Sequence, residues 1–476
     1  MPMMLLSEAA LATGAELRGS DAAFESVGTD TRSLAPRALF VALKGERFDG
    51  HNFVAEARTA GAVAAMVEEA GLRSQDRGLS ELFSLLIVDD TRKALAMLAA
   101  HWRNRFTMPL VALTGSSGKT TVKEMLAAIL REACAAQSSI LDPESSVLAT
   151  RGNLNNDIGV PLMLLELKPT HRYAVIEMGM NHLEEIRYLA RLATPDVALV
   201  NNAGHAHVAF LGSEEAIARA KGEMFEELKA EGIAVINADE RFAALWRELA
   251  SGRKQIDFGI ETEAAVTATY ALHYLESEIV VTMPRGAARA TLKAPGLHNV
   301  RNALAAAAAA AALDIAPQTV GAGLARFAGT KGRLQKKPGL NGATLIDDSY
   351  NANPESVRAA IAVLAQAPGK RLLVLGDMGE LGPDAPRLHS EIGHVARVAG
   401  IDRLFTLGEL SAHVARAFGA GARHFPRIED LLAEIENLLE PGVTMLVKGS
   451  RFMQMERVVK SFEFRASSSE SENSHG

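Results

Sequence analysis

The sequence predicts an α/β protein whose sheets are mostly parallel. Its 476 residues exceed what a single hydrophobic core usually organises. Short apolar runs, for example at 110–113, 173–178 and 403–407, alternate with stretches of helical periodicity, and this alternation indicates strand–helix–strand units. Several of the runs end in glycine or polar residues, as strands do where a parallel sheet carries its ligand crevice.

Composition narrows the range of functions. The formal net charge of −7 argues against a general nucleic-acid binder. The single cysteine, Cys134, excludes an intramolecular disulfide framework and is expected to be a small core residue. The N-terminus lacks the pattern of a targeting segment, and the eight alanines at 305–312 predict a tightly packed helix rather than a membrane span. We therefore expect a cytoplasmic protein without membrane insertion.

The segment 110–121, Leu-Val-Ala-Leu-Thr-Gly-Ser-Ser-Gly-Lys-Thr-Thr, carries the strongest functional signal. An apolar strand leads through a glycine-containing turn into a helix near Lys119, so backbone N–H groups point to one anion-binding spot. Lys119 suits the β- and γ-phosphates of a nucleotide, and the Thr120 hydroxyl suits Mg²⁺. The pattern departs from the full Walker A motif because Leu113 stands where the first glycine is usual. An ordinary strand-to-helix turn is the alternative interpretation.

A first unit is predicted at 1–103. Its elements are helices at 5–12 and 91–106 and strands at 38–44 and 85–88. The loop at 45–53 carries aromatic residues and charges of both signs. Such loops often only connect elements, so connection and ligand binding both stay open.

The strands of the central unit, predicted at 104–313, end in polar residues. Glu177 closes one of these strands, and His205 and His207 follow the next. Because the carboxyl ends of parallel strands meet at one edge of a sheet, these side chains and the phosphate loop should converge. Glu177 and Thr120 are the expected Mg²⁺ ligands, since this ion prefers oxygen, and His207 is a further functional candidate.

Other stretches of the central unit carry weaker signals. The asparagine cluster at 153–156 either forms turns or binds a polar ligand. Lys221 lies on a predicted amphipathic helix at 213–227 with Ser213 as its cap, and its position alone indicates a solvated lysine. The Ser-rich stretch at 137–150 predicts an irregular loop.

The chain after the nucleotide unit predicts an appended sheet and a third unit. Alternation at 264–294 indicates antiparallel strands, and the segment 295–302 opens the alanine-rich helix. Residues 314–462 again alternate strands with helices, which predicts a second mostly parallel α/β sheet. The Ser/Glu-rich tail at 463–476 is predicted to be disordered.

These motifs, in this order, resemble the Mur ligase family over residues 25–460. The segments that carry the resemblance are Thr-Asp-Thr-Arg at 29–32, Gly-Glu-Arg-Phe-Asp-Gly-His at 45–51, the phosphate loop at 114–121, Gly-Asn-Leu-Asn-Asn at 152–156, Glu-Met-Gly-Met-Asn-His at 177–182, Ala-Arg-Ala-Lys-Gly-Glu at 218–223, Gly-Leu-His-Asn at 296–299 with Asn302, Asp-Asp-Ser-Tyr-Asn-Ala-Asn-Pro at 347–354, Gly-Asp-Met-Gly-Glu-Leu-Gly at 376–382 and Val-Lys-Gly-Ser-Arg at 447–451. One position departs from the common family pattern, because Thr31 stands where serine is usual.

The resemblance implies a three-domain Mur ligase architecture. A small N-terminal domain would bind the UDP part of the substrate, a central P-loop domain would bind ATP, and a C-terminal Rossmann-like domain would close over the site. The implied activity is an ATP- and Mg²⁺-dependent ligase of peptidoglycan precursor synthesis. Its implied substrates are UDP-N-acetylmuramoyl-tripeptide and D-alanyl-D-alanine, and we expect the protein to be a monomer.

The resemblance also implies roles for individual residues. For ATP these are Thr114, Gly115, Ser116, Ser117, Gly118, Lys119, Thr120 and Thr121, with His298 and Asn302 near the adenine and Arg333 and Asp348 approaching on closure. For Mg²⁺ they are Thr120, Glu177, His207 and Lys221, the last as a carbamate. For the substrates they are Thr31, Arg32, Lys44 and His51 with UDP, and Asn155, Asn156, Asn351 and Asn353 with the peptide or the dipeptide amine. Lys119, Lys221, His207 and Asp348 would be catalytic.

Three alternatives stay open from the sequence. A sister ligase that adds another amino acid would share most motifs, as would a folylpolyglutamate synthase, which lacks a separate UDP-binding domain at 25–100. A nucleotide-dependent switch protein would need a base-reading Asn-Lys-x-Asp motif. The nearest segments, at 200–203 and 236–239, lack that lysine.

Overall fold

Three units follow one another along the chain. The computed structural model describes residues 2–46, 48–71, 83–137, 142–204 and 213–463. Each unit is organised around a sheet in which most neighbouring strands are parallel, which confirms the predicted α/β class.

The first unit is built on a five-stranded sheet. Its elements are β1 (Met4–Leu5), α1 (Leu6–Thr13), β2 (Glu16–Arg18), β3 (Ala23–Phe24), β4 (Ser26–Gly28), β5 (Ala38–Val41), α2 (Val54–Thr59), β6 (Ala64–Glu68), β7 (Ser84–Val88) and α3 (Thr91–Arg103). The sheet has the order β2-β7-β6-β5-β4, in which β2 is antiparallel to β7 and the other pairs are parallel. β1 and β3 form a separate antiparallel pair.

The central unit contains a six-stranded parallel sheet. Its elements are β8 (Leu110–Thr114), α4 (Lys119–Gln137), β9 (Val147–Ala149), α5 (Gly159–Leu165), β10 (Tyr173–Glu177), α6 (Glu185–Ala193), β11 (Val197–Val200), α7 (Glu214–Glu226), β12 (Ile233–Asn237), α8 (Ala243–Leu249) and β13 (Lys254–Phe258). The order is β13-β12-β11-β8-β10-β9. β8 therefore lies between β11 and β10, and the carboxyl ends of these three parallel strands meet at one edge of the sheet, as predicted.

Alternate residues of β8 pack on opposite faces of the central sheet, as the period of a strand requires. Leu110 and Ala112 belong to a core that continues into the first unit, whereas Val111 and Leu113 pack with α4. The phosphate loop therefore leaves the sheet from a strand that is buried on both faces.

An antiparallel meander and an alanine-rich helix complete the central unit. The remaining elements are β14 (Thr267–Leu272), β15 (Ser277–Met283), β16 (Gly286–Leu292), α9 (Leu297–Ala312) and α10 (Pro317–Arg326). The predicted antiparallel strands are confirmed, in the order β14-β15-β16. The predicted tight packing of the alanine run is also confirmed, because Ala305 to Ala310 are fully buried. Cys134 is buried in the same core, as expected.

The core of the central unit extends past the predicted boundary at residue 313. Val320 and Leu324 of α10 belong to the same apolar core as Leu126 and Ile129 of α4. The two helices approach closely at Gly323, where an added Cβ would lie 2.4 Å from the Ile129 Cα. The helix after residue 313 thus packs as part of the central unit.

The third unit is a six-stranded mixed sheet. Its elements are β17 (Gln335–Pro338), β18 (Thr344–Asp348), α11 (Pro354–Leu364), β19 (Lys370–Gly376), α12 (Ala385–Val398), β20 (Arg403–Leu407), α13 (Ser411–Phe418), β21 (Ala422–Phe425), α14 (Ile428–Glu436), β22 (Val443–Lys448) and a final helix at 456–463. The order is β17-β18-β22-β19-β20-β21, with β17 antiparallel to β18 and the other pairs parallel.

The predicted irregular loop at 137–150 is wrong in its second half. A short strand, β9, forms there and pairs in parallel with β10 at the edge of the central sheet. Its Val147 and Leu148 are buried, and this tertiary pairing overrides the loop-like composition of the preceding serines. The tail at 464–476 lies outside the described residues. Among the described helices, none combines the length and apolarity needed to cross a bilayer.

Candidate active site

A cleft of about 830 Å³ lies between the central and third units. The phosphate loop, the carboxyl ends of β10, β11 and β12, the first turn of α9 and loops of the third unit all line it. Its predicted site residues are Ser116, Ser117, Gly118, Lys119, Thr120, Thr121, Asn155, Glu177, His298, Asn302, Arg333, Asp348, Asn351 and Asn353. The structure therefore brings together most of the residues that were assigned to ATP and to the peptide.

Two asparagines at the end of β11 hold the phosphate loop. The Asn202 carbonyl accepts the Ser116 N–H at 3.1 Å, and its side-chain Oδ1 accepts the Ser117 N–H at 2.8 Å. The Asn201 and Asn202 side-chain amides both donate to the Ser117 carbonyl at 3.0 Å. The neighbouring strand thus fixes the loop backbone before any ligand contributes.

Glycine is required at position 118 of this loop. Gly118 has a φ of +79°, and an added Cβ would lie 2.3 Å from the Asn302 Oδ1 and 2.8 Å from the Asn201 Nδ2. The same Oδ1 accepts a hydrogen bond from Asn201 at 3.1 Å, and the Asn302 amide donates to Asn299 at 3.2 Å. Asn302, predicted to contact adenine, therefore also buttresses the phosphate loop.

Lys119 lies at the mouth of the loop. Its Nζ donates to the Gly115 carbonyl at 2.7 Å, which folds the side chain back over the turn. Burial lowers the pKa of this ammonium, and the positive charge of Arg333 acts in the same direction. The carboxylates of Glu177 and Glu380 oppose both effects. A phosphate anion bound nearby would stabilise the charged form of Lys119.

Thr120 and Glu177 form the predicted metal-binding pair. The Thr120 hydroxyl donates to the Glu177 Oε2 at 3.0 Å. The Asn155 amide donates to the other oxygen, Oε1, at 2.9 Å, and the Thr150 hydroxyl accepts the Glu177 N–H at 2.8 Å. Hydroxyl and carboxylate oxygens fit Mg²⁺, which usually takes few protein ligands beside phosphate and water. The described residues contain no cluster of three or more His, Cys, Asp or Glu side chains suited to a metal.

Lys221 does not fit the prediction of a solvated side chain. It is 1% exposed, on the buried face of α7 that also carries Ile217 and Met224. Burial lowers the pKa of its ammonium well below the usual range, and the charge of Lys119 lowers it further. The spacing to Ile217 and Met224 was the sequence signal for a buried position. The predicted site residue His207 lies outside the described residues, as does His205.

Arg333 and Asn353 of the third unit form hydrogen bonds to the phosphate loop. Arg333 Nη2 donates to the Thr120 hydroxyl at 3.1 Å, and its guanidinium stacks on Tyr350 at 4.5 Å. Asn353 caps α11 by accepting the Ser356 N–H at 2.8 Å, and its amide donates to the Ser117 hydroxyl at 3.1 Å. Both contacts end on hydroxyls of the loop.

Asp348 and His298 line the same cleft. The Asp348 carboxylate pairs with the Lys448 ammonium at 2.7 Å. Burial raises the pKa of Asp348, and Lys448 opposes this effect. Burial also lowers the pKa of His298 to about 4, with smaller effects from the positive charges of Lys448 and Arg301. A neutral imidazole is therefore presented to the cleft at neutral pH.

The residues assigned to the UDP group do not line this cleft. Thr31 donates to Glu56 at 2.9 Å, Arg32 pairs with Asp30, and Lys44 is exposed. The ring of His51 is buried, with Nδ1 2.6 Å from Asp49 and Nε2 accepting the Glu68 N–H at 2.9 Å. His51 thus serves the fold of its loop in this structure. Asn156, assigned to the peptide, also lies outside the cleft lining and accepts the Gly159 N–H at 2.8 Å at the start of α5.

Several residues that build the site carried no predicted role. Asn201 and Asn202 lie directly after a predicted strand, so their position at the crevice was available from the sequence. Lys448 lies in a segment that was recognised but not interpreted. Glu240 also lines the cleft. Its burial depends on packing that the sequence does not display.

Glu240 makes stability depend on pH in a defined direction. Burial raises its pKa from 4.5 to about 7, Glu355 and Asp239 add repulsion, and the Ala203 N–H and Arg301 act in the opposite direction. Because the folded-state pKa is the higher one, the stabilising effect is present below pH 4.5 and is lost as the pH rises to 7. Glu240→Gln should therefore raise the free energy of unfolding at pH 8 by up to about 3 kcal/mol and leave it unchanged near pH 4.

Urea denaturation of both proteins at pH 4 and pH 8 measures this difference. Glu248→Gln, on the exposed face of α8, is the matched control and should behave as the parent at both values. Equal pH dependence in the parent and in Glu240→Gln would contradict the prediction.

Family models match the chain in three consecutive segments. The Mur ligase family catalytic domain matches residues 23–103, the Mur ligase middle domain matches residues 113–310, and the Mur ligase glutamate ligase domain matches residues 332–451. The first match covers the first unit, which a protein that only binds a nucleotide would not need.

Individual proteins are similar along almost the full length. The UDP-N-acetylmuramoyl-tripeptide–D-alanyl-D-alanine ligase of Escherichia coli is 42% identical over 452 residues, which cover 94% of this chain and 96% of the relative. A crystal structure of MurF from Acinetobacter baumannii has a TM-score of 0.87 at 35% identity, covering 97% of this chain and 99% of that one. MurF of Thermotoga maritima, solved with ADP, has a TM-score of 0.79 at 27% identity, covering 93% and 98%. The chain therefore belongs to the Mur ligase family and is an ATP-dependent ligase.

Proposed function

We propose that this ligase joins D-alanyl-D-alanine to the terminal carboxylate of UDP-N-acetylmuramoyl-tripeptide in peptidoglycan precursor synthesis. One observation carries the proposal: the third unit meets the phosphate loop in the cleft, where Thr120 contacts Glu177 on one side and Arg333 on the other. A site that only binds nucleotide does not need a second domain at its phosphate end. The two proposed substrates are those after which the related ligases are named.

The phosphate end of ATP would be held by this chain's loop and cations. Lys119 binds the β- and γ-phosphates, and Thr120 and Glu177 offer the oxygen ligands for Mg²⁺. Bound Mg²⁺ supplies neutralising charge to the phosphoryl group that is transferred. His207 and a carbamate on Lys221 are the proposed ligands of a second ion. The low pKa of Lys221 supports the carbamate, since a neutral amine is the form that captures CO₂.

The first chemical step is phosphoryl transfer to the tripeptide. The terminal carboxylate attacks the γ-phosphorus of ATP, which gives an acyl phosphate and ADP. Lys119 and Arg333 hold positive charge where negative charge spreads over the transferring group, so the rate depends on positioning and electrostatics. The neutral imidazole of His298 and the Asn302 amide face the adenine end of the cleft in this arrangement.

The second step forms the amide bond. The neutral amine of D-alanyl-D-alanine attacks the acyl carbon, and the tetrahedral intermediate expels phosphate. Asn155, Asn351 and Asn353 face the peptide or the amine. Water would hydrolyse the acyl phosphate, so the contact of Asn353 with Ser117 serves to keep the third unit closed over the intermediate.

The first unit is the proposed holder of the UDP group. Thr31, Arg32, Lys44 and His51 belong to the segments assigned to it, and the family match at 23–103 supports that role. A monomer in the cytoplasm is part of the proposal. The buried single cysteine is compatible with a reducing compartment.

Phosphate release by the purified protein tests the function. ATP and UDP-N-acetylmuramoyl-tripeptide are supplied with D-alanyl-D-alanine or, in parallel reactions, with single amino acids such as L-alanine, D-glutamate and L-lysine. Release should require the dipeptide, and mass spectrometry should show the UDP-linked pentapeptide. Release with a single amino acid but not with the dipeptide would indicate a sister ligase and overturn the substrate assignment.

A further inference from the structure

Lys448 is a buried cation in the third unit with no role in the mechanism above. It lies at the end of β22 and is 3% exposed. Its ammonium pairs with the Asp348 Oδ2 at 2.7 Å and donates to the Asn351 carbonyl at 2.8 Å. Asp348 is the last residue of β18, Asn351 lies in the loop that follows it, and both line the cleft. A buried lysine that makes two such contacts fixes the shape of that loop.

The first contact leads to Arg333. The second oxygen of Asp348, Oδ1, accepts the Leu334 N–H at 3.2 Å. Leu334 has a φ of +50°, a left-handed conformation that costs a leucine energy unless its surroundings hold it. The preceding residue is Arg333, which contacts the Thr120 hydroxyl. The carboxylate thus holds the backbone turn from which the arginine reaches the phosphate loop.

The second contact leads to Asn353. The carbonyl that Lys448 binds belongs to Asn351, two residues before Asn353, whose amide contacts the Ser117 hydroxyl. Arg333 and Asn353 both form hydrogen bonds to the phosphate loop, and both are connected to the one ammonium of Lys448. Through these two side chains, Lys448 is linked to the hydroxyls of Thr120 and Ser117.

The protonation state of Asp348 depends on the charge of Lys448. Lys448 faces it from β22 and Arg333 from the segment before β17, and the Leu334 N–H also points at it. The charge of Lys448 also acts on His298 of α9, as does that of Arg301 on the same helix. Burial alone raises the pKa of Asp348, so the loss of Lys448 would raise it further. A protonated carboxyl is a weaker acceptor for the strained backbone N–H.

We propose that Lys448 is a positioning residue for phosphoryl transfer: through Asp348 and the Asn351 carbonyl it holds Arg333 and Asn353 against the phosphate loop. This inference rests on the proposed function, because it concerns the first chemical step of that reaction. It predicts that Lys448 affects turnover more than substrate binding. The effect should become smaller when Asp348 can no longer respond to the charge, because only the contact with the Asn351 carbonyl then remains.

The test compares Lys448→Met, Asp348→Asn and the double variant in the phosphate-release assay. Activity is measured from roughly pH 5.5 to 9, so that the pH profile of kcat can be compared. In Lys448→Met we expect kcat to fall about 10²-fold with a much smaller change in KM for the UDP substrate. The acid limb of the kcat profile should move to higher pH by about 1–3 pH units. Relative to Asp348→Asn, the double variant should lose much less than Lys448→Met loses relative to the parent, since the link through Asp348 is already broken and only the contact with the Asn351 carbonyl is left to lose.

Lys337→Met is the matched control. Lys337 also pairs with a carboxylate of β18, Asp347 at 3.4 Å, and with Glu463 at 2.9 Å, but it does not line the cleft. Its kcat and pH profile should equal those of the parent. If Lys448→Met fails to fold, a double variant slower than Asp348→Asn by about 10²-fold or more would still overturn the relay through Asp348, because neither of these two proteins leaves Asp348 charged and unpaired.

The experiment distinguishes a failure of the relay through Asp348 from a failure of the proposed function. A double variant slower than Asp348→Asn by the full Lys448→Met factor would overturn the relay through Asp348. An unchanged kcat and pH profile in Lys448→Met would do the same while the parent remains active. A parent protein without dipeptide-dependent phosphate release would instead overturn the proposed function.

Discussion

Lys119→Ala is expected to reduce dipeptide-dependent phosphate release by about 10³-fold or more while the fold persists. The Lys119 ammonium is the cation that the loop itself directs over its turn, through the 2.7 Å contact with the Gly115 carbonyl. Alanine removes that charge at the point where negative charge spreads during transfer. The folded protein should lose little stability, because burial already disfavours the charged lysine.

Steady-state phosphate release and thermal unfolding measure the two halves of this prediction. Lys93→Ala, an exposed lysine on α3, is the control and should retain parent activity. A Lys119→Ala protein that turns over within about tenfold of the parent would place the phosphate end of ATP elsewhere. An unfolded variant would show instead that the Lys119 contact is structural.

Lys221→Ala should also lose most activity, by about 10²–10³-fold, and short carboxylates should restore part of it. The proposed carbamate places a negative group on α7 beside the charge of Lys119, and alanine leaves both its volume and its charge missing. Acetate or propionate supplies a carboxylate that fits the space vacated by the side chain. Activity is measured with and without the added acid at constant ionic strength.

The specificity of that rescue is checked with Lys119→Ala, which lost a cation and should not respond to carboxylates. Mass spectrometry of the parent under mild conditions should show the addition of one CO₂ at Lys221. Full activity of Lys221→Ala without additives would show that this buried lysine is not part of the reaction. A response to acetate in both variants would show that the effect is not specific to position 221.

The sequence predicted the elements well where periodicity and turn residues agree. The strand β20 has the predicted bounds, and the helix after the phosphate loop begins at Lys119 as expected. The short edge strand β9 was missed, because three residues are too few to show a period and their pairing with β10 is tertiary. The boundary after the alanine-rich helix was placed before α10, since the packing of Gly323 on Ile129 leaves no trace in local composition.

The residues of the candidate site also divide into those that could be identified from the sequence and those that could not. Thr120 and Glu177 were identified from strand ends and motif spacing, and they are in contact. The burial of Lys221 and the two connections of Lys448 depend on contacts between distant segments. Patterns along the chain report which side chains face inward, but not which of them meet across two domains. His51 is the converse case, since this residue of a recognised motif uses one ring nitrogen to contact Asp49 of its own loop and the other to accept the Glu68 N–H at the end of β6.

The alanine run of α9 has a consequence for where the enzyme can move. Alanine has no rotamers to lose on folding, so this part of the core is ordered at little side-chain entropy. The fully buried methyls of Ala305 to Ala310 fill their part of the core without rotamers of their own to exchange. The N-terminal end of α9, which lines the cleft with His298, Asn299 and Asn302, is therefore attached to a part of the core that has little freedom to rearrange.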